Sequence, residues 1–169
     1  MNLLTGKTGT PHVTSQQMRQ VYEGCFGEES YILKTDEMLE PVLVSNNLLK
    51  IRSGVLVHHG NISVVGIGTA DEVVLKNGAQ GVKRIDLVVS RYKKNAETEI
   101  EECDWVLIQG IPDATNPKVP AYTVGNMQTG SLVDDCAAIR IDYDGIQVTS
   151  VTKLLPVLEG NIATLNSNL

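Results

Sequence analysis

Aromatic side chains are scarce in this sequence: one Trp, one Phe and five Tyr among 169 residues. A core must therefore be built mostly from Val, Ile and Leu, and the aromatic-lined cleft usual in carbohydrate enzymes has little to draw on. Basic residues are also in short supply, 14 against 20 acidic, for a net charge of −6. That balance argues against a phosphate-binding face and so against a nucleic-acid partner. No basic run exceeds two residues, and Lys93-Lys94 lies in an expected turn. No apolar run is long enough to span a bilayer. The opening MNLLTGKTGT has neither the charged nor the apolar region of a signal peptide, so the chain is expected to fold in the cytoplasm, away from membranes. Cysteine is limited to Cys25, Cys103 and Cys136, an odd number at wide spacing. That fits free thiols rather than a disulfide framework or a metal motif.

What the sequence does have is alternation. In GVKRIDLVVSRY, Ile85, Leu87 and Val89 fall on one side, and Arg84, Asp86, Ser90 and Tyr92 on the other. Period two with β-branched residues predicts a strand with one buried face, and this one is expected to be the centre of the domain. Arg84 and Asp86, two apart, share a face and can pair. Short runs around Tyr31–Leu33, Val42–Val44, Leu48–Arg52, Val55–His58, Ile62–Ile67 and Glu72–Leu75 are punctuated by Gly and Asn. Glu101–Ile108 should return beside the central strand, and Asp144-Gly145 should join two last strands. Prolines at 112, 117 and 120 predict a loop over 110–121. Residues 122–136 read as irregular. The expectation is a mainly β protein, an antiparallel sandwich or barrel-like domain over 1–152.

Two helices are expected at its ends. Thr14 or Ser15 can cap a short N-terminal helix that packs through Met18, Val21 and Tyr22 and stops at Gly24. At the other end, Leu155, Leu158, Ile162, Leu165 and Leu169 recur in steps of three and four. That heptad-like spacing predicts a helix over 153–169, either folded back on its own domain or joining copies in a short coiled coil, a trimer being the expected assembly.

Chemistry is harder to find. Gly6-Lys7-Thr8 has Met1 where a P-loop needs its first glycine, and Gly66-Ile67-Gly68 has Asp71 where a dinucleotide fingerprint needs its third. His58 and His59 are neighbours, so on a strand they would face opposite ways and could not hold one ion, and His12 is remote. Glu101-Glu102 and Asp134-Asp135 read as solvated pairs. No catalytic, cofactor or metal residue is therefore assigned. Trp105 is expected in the core, its alternative being a sugar-stacking residue of a stand-alone carbohydrate- or protein-binding module.

The order of several strings resembles that of a known family. These are TGKTGTPHVTSQQMRQVYEGCFGEESYIL, SNNLLKIRSGVLVHHGN, GAQGVKRIDLVVSRY, VLIQGIP and NPKVPAY, running from Thr5 to Tyr122. Together they resemble baseplate and tail-tip structural proteins of phages and prophages of Firmicutes, of the upper-baseplate, receptor-binding-associated kind. The resemblance implies a β domain that docks into a tail by its N-terminal part and carries a helical neck toward receptor-binding elements. It implies a homo-oligomeric, non-enzymatic adaptor in the virion tail, with other baseplate proteins as partners and no catalytic residue to carry over. With no carbohydrate-binding head evident before Leu169, an assembly role is the expectation.

Overall fold

The structure is a computed structural model that describes residues 1–159. Within them the alternating stretches form β1 (Ser30–Leu33), β2 (Pro41–Ser45), β3 (Leu48–His58), β4 (Asn61–Val74), β5 (Lys83–Lys94), β6 (Glu101–Ile108), β7 (Val133–Asp144), β8 (Gln147–Lys153) and β9 (Val157–Leu158). One helix, α1 (Ser15–Phe26), precedes them. The protein is mainly β, two sheets facing each other in a sandwich-like arrangement.

In the first sheet the long β3 is the spine. β4 runs antiparallel along one edge, from Leu48 opposite Val74 to His58 opposite Asn61. The other edge is shared end to end: β2 pairs with Leu48–Ile51, and β1 with Leu56–His58. β9 lies parallel to β1, Ile32 opposite Val157. The second sheet has the order β6-β5-β7-β8, all antiparallel. β5 is thus an interior strand, and Arg84, Ile85, Asp86, Leu87 and Val89 all lie on it.

Its faces are not what alternation suggests. β5 is buried on both sides. The side of Arg84, Asp86, Val88 and Ser90 looks between the sheets, where Val88 joins Ile32, Leu49, Ile51, Leu56, Ile139 and Ile141 in the central cluster. Ile85, Leu87 and Val89 take the other side, which the 109–126 segment crosses. That segment is tied down by Lys83 and Asp113, which exchange backbone hydrogen bonds, and by Asp135, whose N–H donates to the Thr123 carbonyl. A covering loop has no period, so the pattern did not announce it.

Two apparent turns are bulges. Ser53-Gly54 leaves β3 continuous, with the register shifting between Arg52 and Gly54. A Cβ on Gly54 would lie 2.5 Å from the Leu39 backbone nitrogen, so Gly is needed for close approach and not for reversal. Across from it, 66–69 arch out of β4, and Ile67 is 83% exposed.

α1 also differs from expectation. Thr14 caps it with Gln17 in a reciprocal capping box, and it runs through Gly24 to Gly27, whose φ is 92°. Of the expected stripe Met18 and Val21 are exposed while Tyr22 is half-buried and stacked on Phe26, and Arg19 is the buried residue. The C-terminal stretch is corrected as well. Residues 153–159 are extended, with Leu155 partly buried against the core and Leu158 in β9 opposite Leu33. No coiled-coil helix occurs among the described residues, and Ile162, Leu165 and Leu169 lie outside them.

Candidate functional site

Polar side chains from both sheets converge at one end of the sandwich. β3 ends at His58, and the turn to β4 has φ of 48° at His59 and 74° at Gly60. A two-residue turn with both φ positive is the form that matches strand twist. It also ends the alternation, so both imidazoles swing to the same side, their ring centroids 4.0 Å apart. Gly60 is obligatory, because a Cβ there would lie 2.2 Å from the Arg19 carbonyl oxygen. Opposite them, β7 supplies Asp134, 1% exposed. His58 Nε2 lies 2.8 Å from Asp134 Oδ1, and His59 Nδ1 lies 2.7 Å from Oδ2. The Met127 N–H donates to Oδ2 at 3.0 Å, and Ser30 Oγ of β1 lies 2.6 Å from His58 Nδ1.

The expectation that the adjacent histidines face opposite ways, and that Asp134-Asp135 is a solvated pair, is therefore overturned. The two aspartates point to opposite faces. Asp134 looks inward, and Asp135 looks outward in a two-pronged pair with Arg91, at 2.6 and 2.8 Å. Burial opposes ionisation of Asp134, but the hydrogen bonds from His58, His59 and Met127 prevail and hold it well below the usual carboxylate range. The hydrogen bond to Asp134 in turn raises His59. A surface pocket of about 250 Å³ opens beside the cluster, lined by Ser30, His58, His59, Tyr122, Val124 and Cys136 among others. Burial pushes the Cys136 thiol up to about 12, so it stays protonated there.

A second polar knot docks α1 at the same end. Arg19 Nη1 bonds Glu101 Oε1 at 2.8 Å and its Nε bonds Gln128 Oε1 at 2.6 Å. Tyr92 donates to Glu101 at 2.6 Å, and Ser15 donates to the other carboxylate oxygen. Burial works against Glu101, yet Ser15, Tyr92 and Arg19 bring it down to about 2. Burial and then Glu101 push Tyr92 up to about 12.

The chain matches no family model, no curated protein and no solved structure. Its chemistry is read from geometry alone.

Ser30, His58 and Asp134 form a hydroxyl–imidazole–carboxylate chain like that of serine hydrolases, but with the ring nitrogens exchanged. Hydrolysis also needs donors aimed at a developing oxyanion, and the Met127 N–H of this cluster points at Asp134 instead. What the arrangement does directly is fasten the first sheet to the second. Trp105, the other candidate, packs against the core, and its Nε1–H donates to Asp71 at 2.9 Å. The pocket beside it, about 120 Å³, is smaller than the several hundred Å³ usual for small-molecule sites. Among the described residues no helix is long and apolar enough to cross a membrane.

Of the residues singled out in the sequence, β5 brings Arg84 and Asp86 together as a buried pair, Nε to Oδ1 at 2.8 Å. Arg84 also donates to the carbonyls of Lys76 and Asn77 and lies over the Tyr143 ring, while Asp86 accepts from the Gly110 N–H at 3.0 Å. Leu155 and Leu158 do not share a seam. Ser30 and Asp134 were missed, and no local pattern marks either of them.

Proposed function

We propose that this chain is a non-enzymatic structural component of a phage or prophage tail baseplate, scaffolding receptor-binding elements during host adhesion. The observation that carries the reading is the orientation of α1. The helix is fixed to its own domain by polar contacts through Arg19, while Val13, Met18 and Val21 stay partly exposed, at 44%, 37% and 43%. An amphipathic helix normally hides its apolar side. One that turns it outward from a rigid mount suits lateral contact with a neighbour. The N-terminal docking that the sequence resemblance implies would use this surface, with other baseplate proteins and further copies of the chain, as a homotrimer, for partners. Assembly in the host cytoplasm and residence in the virion tail complete the proposal.

The test is incorporation. Wild-type chain should co-sediment with assembled tails and show more than one copy by light scattering. Met18→Lys with Val21→Lys, both at solvent-exposed positions, should leave the melting temperature within a few degrees and lower incorporation at least tenfold. Tails assembled without the chain, or an unaffected double variant, would overturn the reading. Saturable binding of cell-wall polysaccharide by an isolated monomer would favour a stand-alone binding module instead.

A further inference from the structure

We propose that His58, His59 and Asp134 are a binding site for a zinc-class divalent transition ion that clamps the β3–β4 turn onto β7. Two imidazole nitrogens and a carboxylate offer ligating atoms that all lie within 4.8 Å of one another. Mixed nitrogen and oxygen donors suit zinc, cobalt, nickel or copper, whereas calcium and magnesium take oxygen almost alone.

The spacing is close to what coordination requires. Ligand distances near 2.0–2.1 Å place neighbouring donor atoms of a tetrahedral site roughly 3.3 Å apart. The two nitrogen–oxygen separations here are 2.8 and 2.7 Å. The two nitrogens contact different oxygens of Asp134, so bringing them onto one ion takes a small opening of both contacts and a turn of the carboxylate. His59 sits in a turn and has a side chain 21% exposed, so it has room for that movement.

The surroundings are those of a ligand set. Metal-bound histidines almost always use their second nitrogen to hold an oxygen, which fixes ring and tautomer. Ser30 Oγ stands 2.6 Å from His58 Nδ1 and can accept its proton, leaving Nε2 free for the ion. The Met127 N–H steadies Asp134 in the same way. Three protein ligands leave a fourth position, and the pocket of about 250 Å³ lined by both histidines gives an ion and its water a way in. The clamp would join the sheets at the end where α1 docks, independently of any role in a tail.

The experiment is a titration of the purified full chain with Zn²⁺ in non-chelating buffer, read by calorimetry and by thermal melting. Expected are one ion per chain and a raised melting temperature, neither reproduced by Mg²⁺ or Ca²⁺. His59→Asn is the decisive variant, because Asn tolerates the positive φ of this turn and the fold should persist. It should bind at least tenfold more weakly and lose the thermal shift, and Asp134→Asn should do the same. The absence of saturable binding by wild type, or equal affinity in folded His59→Asn, would overturn the site.

Discussion

At the scale of single residues, the stability of this protein depends on buried charges that are fully partnered. Asp86 is 0% and Arg84 4% exposed, and each has further hydrogen bonds beyond the other. Removing one member leaves the other stranded in the interior. Arg84→Met should therefore cost about 3–5 kcal/mol in urea unfolding, and pairing it with Asp86→Leu should recover much of the loss. A single variant as stable as wild type would refute the argument. This pair was legible, because two residues apart on a strand means one face. Asp134 was not. Consecutive carboxylates resemble a solvated run until the fold supplies a cation or donor for each, and here those partners come from strands and turns distant in sequence. The histidine pair lies between these cases. Alternation holds inside a strand, but His59-Gly60 is a turn, and the glycine was the available sign that the rule stops there.

At the scale of elements, strands were more legible than what covers or bends them. Period two marked β5 and Asp144-Gly145 marked the β7–β8 hairpin, but the opening of β7 from Val133 to Cys136 was read as irregular. Gly54 marked something real, yet a glycine needed for close approach reads the same as one needed for a turn. α1 was found by its cap, but its facing was misread at Met18, Val21 and Arg19, since apolar spacing alone assumes that the stripe goes in. Here the Arg19–Glu101 pair, with Ser15, Tyr92 and Gln128, decides the orientation. That docking should depend on pH in a defined sense. Glu101 has its carboxyl lowered from 4.5 to about 2 in the folded protein. Its contribution is therefore complete above 4.5 and is lost as pH falls through about 2. Protection of the α1 amides, taken against the intrinsic exchange rate at each pH, should fall through that window, and Glu101→Gln should show the lower protection already at neutral pH. Protection in α1 that does not change with acid would contradict the docking.

For the whole molecule, composition and patterning pointed to a sandwich of aliphatic strands, and the two sheets bear that out. Leu155 and Leu158 did not keep to their reading as helix positions. Leu155 packs against its own core and Leu158 pairs beside β1, because a strand edge was open to receive them. Leu155→Asp should thus lower the melting temperature of the chain, by several degrees, rather than release copies from one another. Sedimentation showing dissociation with an unchanged melt would restore the seam.

The position of β9 has a consequence for synthesis. β1 is made early, but one of its edges is completed only by Val157–Leu158, more than a hundred residues later. The β5–β6 and β7–β8 hairpins close over short loops and can form as they emerge. Pairing β1 with β9 must wait until residue 158 has left the ribosome. Contacts so distant along the chain are slow to form. The nascent first sheet is therefore expected to spend much of translation with an uncovered border, the stage at which a chaperone would be of most use.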